Sequence, residues 1–175
     1  MTLIERIHDA ARVLNGNIRV TDLIQAHNIA PNANVYLKCE NLQVTGSFKI
    51  RGAFYKISQL SQEEREKGVV ACSAGNHAQG VAVSAQKNNI KSTIFIPSIA
   101  PLSKIEATKS YGAEVKLIDG VYDDAYEAAV KYYKETGAVF VHPFDDELVI
   151  AGQGTIGLEL LRQLPELDAV VVPIG

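Results

Sequence analysis

The chain predicts an α/β fold in which parallel sheets are covered by helices. Short apolar, β-branched runs such as Val69-Val70-Ala71-Cys72 and Thr93-Ile94-Phe95-Ile96 alternate with stretches of helical spacing, and several of those stretches open on a capping residue and close on glycine. Strands separated by helices pair in parallel and are covered on both faces, so they read as continuous apolar runs.

The elements follow in order. Leu3, Ile7, Ala10, Ala11 and Leu14 recur at helical spacing, so the chain opens on a helix over 3–14. Asn34 to Glu40 reads as a strand, with Val35, Leu37 and Cys39 alternating against Tyr36 and Lys38, and a helix runs from Lys49 to about Leu60. Ser61-Gln62-Glu63-Glu64 is a capping box that opens a short helix closed by Gly68. The strand near Val69, a helix from Ala78 to Asn88 and a strand from Thr93 to Ile96 come next. Ser103-Lys104-Ile105-Glu106 reads as a second capping box, opening a helix that stops near Gly112, and Val115 to Ile118 is a strand. Tyr122 to Thr136 sets Ala125, Ala128, Ala129 and Tyr132 on one face of a helix ended by Gly137. Val139 to His142 and Ala169 to Pro173 supply the last strands, with a helix near Gly154 to Leu164 between them.

The 175 residues are 47% hydrophobic and 21% charged, which provides for a core. No apolar run is long enough to span a membrane. The net charge of −3, with lysines scattered among acids, leaves no basic stripe for nucleic acid, and no polybasic or lipidation motif suggests a membrane surface. Met1 to Arg6 has neither a basic leader nor a long apolar stretch, so the expectation is a cytoplasmic protein without a signal peptide. Cys39 and Cys72 fall on expected buried strands and read as small hydrophobic thiols in a reducing compartment.

Two loop-to-helix junctions carry chemistry. Gly46-Ser47-Phe48-Lys49-Ile50-Arg51-Gly52-Ala53 sets Lys49 at a helix start, where the partial positive charge disfavours an ammonium and favours the neutral amine. A neutral amine attacks carbonyl carbons. A lone lysine beside a glycine turn is ordinarily a solvated surface side chain, so the position alone decides little. At the second junction, the strand at Val69 to Cys72 feeds Ser73-Ala74-Gly75-Asn76-His77-Ala78-Gln79-Gly80. Small residues there let a ligand approach the backbone, the free amides of the first helical turn suit a carboxylate or phosphate, and Asn76 and His77 add side-chain donors. The plainer reading is a helix capped by Ser73.

Together the two segments resemble the fold-type-II, tryptophan synthase β-like family of pyridoxal 5'-phosphate enzymes, and within it the serine/threonine dehydratase branch, where Ser-Phe-Lys-x-Arg-Gly is followed by Ser-x-Gly-Asn-His. His142-Pro143-Phe144-Asp145-Asp146 and Ile150 to Glu159 resemble further dehydratase segments, and Val170 to Gly175 resembles the strand entering a glycine-rich phosphate loop. The resemblance implies that pyridoxal 5'-phosphate is attached covalently at Lys49, that Phe48 lies against its ring, that Asn76 bonds its 3-hydroxyl and that Gly175 begins its phosphate site. It implies that Ser73, Gly75, Asn76 and His77 hold the substrate carboxylate and that Lys49, once free, takes the α-proton. The implied activity is that of a threonine dehydratase, a lyase releasing 2-oxobutanoate and ammonia from L-threonine, with L-serine as a second substrate, in a homo-oligomer.

Ala74 stands where serine racemases of this family typically carry a second serine, which favours elimination over racemisation. Phe144 points the same way, toward short catabolic threonine dehydratases. Thr21-Asp22-Leu23 departs from the family's Thr-Pro-Leu. The resemblance also implies two domains: 1–67 opening the larger, 68–146 forming the smaller, and 147–175 returning to a larger domain that is incomplete, with the cofactor between them. The competing readings are a serine racemase-like enzyme and a non-catalytic fragment that binds ligand weakly or pairs with another subunit.

Other patterns carry less. Gly152-Gln153-Gly154-Thr155-Ile156-Gly157 fits the dinucleotide pattern, but Asp145-Asp146-Glu147 before it is no buried strand and no acid for a ribose ends the strand expected at Ala169 to Pro173. Asp123 and Asp124 suit a helix start. His8, His27 and His142 lack the spacing of zinc ligands or a triad, so no metal site is expected.

Overall fold

Helix α1 (Leu3–Leu14) is closed at its start by a reciprocal cap, with Glu5 N donating to the Thr2 hydroxyl and Thr2 N donating to the Glu5 carboxylate. The computed structural model describes residues 1–173. Strands β1 (Leu23–Gln25) and β2 (Tyr36–Lys38) pair antiparallel, with Ile24 opposite Leu37. The strand expected over Asn34 to Glu40 is thus three residues long, and its faces are exchanged. Leu37 is 48% exposed, while Lys38 turns inward because its Nζ donates to the Glu159 carboxylate at 2.6 Å and to the Thr21 carbonyl at 2.7 Å. Cys39 is half-buried in the turn that follows rather than on a buried strand, whereas Cys72 is buried.

Helix α2 (Lys49–Ser58) leads into α3 (Gln62–Lys67), whose expected capping box is formed, Ser61 N to the Glu64 carboxylate at 2.8 Å and Glu64 N to the Ser61 hydroxyl at 3.2 Å. A four-stranded sheet follows, made of β3 (Val69–Cys72), β4 (Ser92–Pro97), β5 (Glu114–Ile118) and β6 (Val139–Phe140), in the order β5-β4-β3-β6 and parallel throughout. Its crossovers are α4 (Asn76–Lys87), α5 (Leu102–Ser110) and α6 (Tyr122–Thr136), and α7 (Glu147–Gln163) comes last.

Alternation along β3 divides the core. Val69 and Ala71 join Ile94 and Ile96 under α2, α4 and α5, while Val70, Cys72 and Phe95 pack against Ala125 and Ala129 of α6. The first of these clusters also takes in Ala53 and Ile57 of α2 and Val149 of α7, so residues on both sides of the sheet-forming segment share one core.

Other sequence expectations change as well. Helix α5 starts at Leu102 with Pro101 as its N-cap, so Ser103 lies inside the first turn and forms no capping box. Helix α4 starts at Asn76, two residues before Ala78, with Gly75 rather than Ser73 at the cap. Helix α7 begins well before Gly154, because the Asp146 carboxylate accepts from Leu148 N at 2.8 Å and Val149 N at 3.2 Å. Its glycine series is therefore helical. A Cβ on Gly152 would fall 2.6 Å from the Arg51 carbonyl oxygen and the Gly52 Cα, so Gly152 serves the close crossing of α2 and α7 rather than a nucleotide turn. The strand expected at Ala169 to Pro173 is absent: Val170, Val171 and Val172 are exposed and the segment has no ladder partner among the described residues, without which extended backbone is not held as a strand.

Candidate functional site

Strand β3 lies between β4 and β6, so the chain moves one way across the sheet for β4 and β5 and returns to the other side for β6. The crevice beyond the carboxyl ends of β3 and β6 is a topological switch point, where open parallel sheets bind ligands. Helix α4, which follows β3, and the segment after β6 meet the start of α2 there. Close contact joins α2 and α4: a Cβ on Gly80 would sit 3.1 Å from the Lys49 carbonyl carbon and from Ile50 N, so Gly80 lets the two helix starts converge.

Lys49 is the first residue of α2, and its backbone N donates to the Ser47 hydroxyl at 3.2 Å. Its Nζ donates to the Pro143 carbonyl at 2.8 Å and lies 5.4 Å from the centroid of the Phe48 ring, which is 39% exposed. Burial holds the amine below the ordinary lysine range. That is the direction expected from sequence, although partial burial, not the helix dipole, is its resolved cause. The Pro143 carbonyl is held by a turn in which His142 Nδ1 accepts from Asp145 N at 2.7 Å and Phe144 N at 3.4 Å. Phe144 sets its ring against the His142 imidazole at 4.6 Å between centroids.

At the second junction Ser73 follows β3 directly, and its hydroxyl accepts from Gly75 N at 3.2 Å. Asn76 is exposed at the first position of α4. The first amide of the helix with a backbone acceptor is that of Gln79, so those of Asn76, His77 and Ala78 face the helix start without one among the described residues. His77 is 3% exposed and Nε2 donates to the Val141 carbonyl at 2.8 Å, leaving buried Nδ1 as an acceptor without a partner among the described residues. The expectation that its side chain donates to a carboxylate is thereby corrected: the ring proton is committed, and His77 offers its backbone amide instead. Burial, with the charges of Lys49 and His142, pushes the imidazole down to about 4 against the lift from Val141, so it is neutral at pH 7. Ala74 packs against the sheet core.

Phe48, Lys49, Ser73, Gly75, Asn76 and His77 thus sit on two helix starts that touch. Gly175, expected to open a phosphate site, lies outside the described residues. Sequence reasoning missed the Pro143 carbonyl, a backbone atom with no signature of its own, although it lies in the segment His142 to Asp146 that was singled out. Among the described residues no three His, Cys, Asp or Glu side chains gather as a metal site, and no helix is long and apolar enough to cross a membrane.

Gly75 invites a direct test of why the turn is small. A Cβ there would have only Lys104 Nζ near it, at 3.8 Å, an ordinary contact. In the complete protein Gly75→Ala should therefore leave the thermal midpoint within about 2 °C while weakening carboxylate binding at the turn by about tenfold or more. Unchanged affinity in a folded variant would show that no ligand approaches this backbone.

Comparison with known proteins gives a consistent result. A family model described as pyridoxal-phosphate dependent enzyme matches residues 14–175. The chain is similar to an L-threonine ammonia-lyase of Thermotoga maritima, 54% identical over 100% of this chain and 44% of that protein. It is also similar to the catabolic L-threonine dehydratase TdcB of Staphylococcus aureus (strain N315), 46% identical over 97% of this chain and 50% of that protein. The structure of maize serine racemase superposes with a TM-score of 0.91 at 38% identity, covering 94% of this chain and 51% of that one. The chain spans about half the length of the curated relatives it matches.

Proposed function

The chain belongs to the pyridoxal-phosphate dependent enzymes, and from that premise we propose that its site serves an L-threonine ammonia-lyase, with L-serine as a second substrate. The fold is the α/β architecture of fold-type-II members, and the relatives named for threonine are 46% and 54% identical. One observation carries the reading: the Lys49 amine, held below the ordinary lysine range, and the unpaired amides of Asn76, His77 and Ala78 are brought to the same crevice by the contact of α2 with α4 at Gly80.

These residues fit the cofactor. Lys49 supplies an amine for covalent attachment, the half-exposed Phe48 ring a flat apolar face, and Asn76 an exposed amide side chain. When bound, the cofactor supplies the electron sink that makes the substrate's α-proton removable. The helix-start amides hold the α-carboxylate, which fixes the α-carbon over the site. Lys49 Nζ, in its neutral form, takes the α-proton, and the Pro143 carbonyl accepts a hydrogen bond from the ammonium so formed. L-Threonine loses the α-proton and the β-hydroxyl as water, and hydrolysis then returns that water, leaving 2-oxobutanoate and ammonia.

A serine racemase reading draws on the likeness to the maize protein. Ala74 opposes it, since a methyl group cannot deliver a proton to the second face of the α-carbon. The complete protein, loaded with pyridoxal phosphate, should form 2-oxobutanoate from L-threonine at least about a hundredfold faster than it forms D-serine from L-serine. Chiral chromatography of both reactions decides. Comparable rates would replace the ammonia-lyase reading with the racemase one.

A further inference from the structure

The turn after β6 is pinned at both ends. At its start Val141 N donates to the Val70 carbonyl at 2.8 Å while the Val141 carbonyl accepts from His77, and at its end Asp146 caps α7 and pairs with Lys56 of α2 at 2.8 Å. Between those points the half-buried His142 holds the backbone: its ring meets Phe144 edge to face, and its Nδ1 accepts from Asp145 N at 2.7 Å and from Phe144 N at 3.4 Å. The Phe144 N–H belongs to the same peptide unit as the Pro143 carbonyl that accepts from Lys49 Nζ. That peptide is trans, so its N–H and C=O point to opposite sides, with the imidazole on one side and the amine on the other. Accepting the N–H at one end fixes the plane and polarises the carbonyl at the other, which strengthens it as an acceptor. Pro143 has no N–H to compete for the imidazole, and its ring restricts rotation about φ. Two amides donating to Nδ1 leave no proton on that nitrogen, so it serves as an acceptor.

We propose that His142 is a positioning residue for Lys49: by holding the Pro143–Phe144 peptide through Nδ1 it keeps the Pro143 carbonyl where it accepts from the ammonium that forms when Lys49 takes the α-proton. The inference rests on the proposed function and adds to it a side chain that acts through a backbone carbonyl. Misdirecting that carbonyl removes a bond made to the charged form of Lys49, so it slows proton removal and lowers the amine further below the ordinary lysine range. A general loosening of the site does the opposite to the amine, because exposure returns it toward the ordinary 10.5.

The test separates the acceptor from the ring. His142→Phe keeps an aromatic ring against Phe144 and removes the nitrogen, whereas His142→Asn removes the ring and sets an acceptor oxygen on Cγ where Nδ1 stood, as asparagine does when it closes a turn. In the complete protein loaded with pyridoxal phosphate, His142→Phe should lower kcat for L-threonine about tenfold or more with KM within about twofold, and His142→Asn should recover most of the loss. In the complete protein freed of cofactor, acetylation of Lys49 followed against pH by peptide mass spectrometry should have its midpoint displaced to lower pH in His142→Phe and unmoved in His142→Asn. Full turnover in His142→Phe, equal loss in both variants, or a midpoint in His142→Phe that stays in place or moves upward overturns the assignment. If the unsubstituted protein makes no 2-oxobutanoate, the ammonia-lyase reading fails by itself, and the acetylation titration still decides whether His142 acts on Lys49 through the carbonyl.

Discussion

Lys49→Ala should lower L-threonine turnover by at least about a thousandfold, the largest effect expected of any single substitution in this chain. The amine is asked to do two things, to attach the cofactor and to take a proton from carbon, and Lys49 is the lysine that opens the helix packed against α4 at Gly80. Its depressed pKa matters in a definite direction. The neutral form is the base, so a value below the ordinary 10.5 enlarges that form at any given pH, and turnover should rise with pH along a limb that ends below 10.5. Borohydride reduction of the complete, cofactor-loaded protein followed by peptide mapping should mark the peptide containing Lys49. Labelling confined to another lysine would defeat the assignment, as would turnover in Lys49→Ala within about tenfold of the unsubstituted protein.

The parts of the fold that were legible in sequence are those whose signal is local. The apolar run of β3, the capping box at Ser61 and the glycine stop at Gly137 each express a backbone requirement within a few residues, and each is found where expected. The parts that were not legible depend on a distant partner. Nothing near Lys38 says that it turns inward, because the cause is Glu159, 121 positions away. The Gly152 series imitates a nucleotide turn because close helix crossing and close approach to a phosphate make the same demand, a missing side chain. Ser103 and Glu106 have the spacing of a capping box, but Pro101 begins the helix earlier and Ser103 falls inside it. The candidate site divides the same way. Lys49 and the Ser73 to His77 turn are visible as residue patterns, whereas the Pro143 carbonyl meets Lys49 only through the way the sheet returns past β3.

The second large effect concerns Arg51, two residues beyond Lys49 on α2, whose substitution by alanine should cost about 3–5 kcal/mol of stability. Its side chain is wholly buried, and its five donors are all used. Nε and Nη2 hold the Glu40 carboxylate at 2.8 and 2.7 Å, Nη1 and Nη2 hold the Glu159 carboxylate at 2.7 and 2.9 Å, and Nη1 also donates to the Thr155 hydroxyl at 3.1 Å. With Lys38 bonded to Glu159 the cluster holds two cations and two carboxylates, so it is neutral as a whole. Removing Arg51 leaves two largely buried carboxylates facing one lysine, and the penalty is that of the orphaned charge more than of the lost bonds. Arg51→Lys should recover only part of it, because an ammonium cannot reproduce the fork that meets both carboxylates.

Acid provides an independent check of that cause. Burial would raise the Glu40 carboxyl, but the bonds from Arg51 and Thr21 and the charges of Arg51 and Lys38 outweigh it and hold the group below its ordinary 4.5. A carboxyl depressed in the folded state contributes stability that is fully present above 4.5 and is lost as pH falls through its folded value. Without Arg51 the principal cause of that depression is gone. The difference in urea stability between the complete protein and its Arg51→Ala variant should therefore be greatest near neutral pH and shrink below 4.5 as Glu40 takes up a proton and the uncompensated charge disappears. A deficit that stays constant down to the acid transition would mean that packing around the guanidinium, rather than its charge, holds α2 against α7 and so fixes the direction in which Lys49 enters the site.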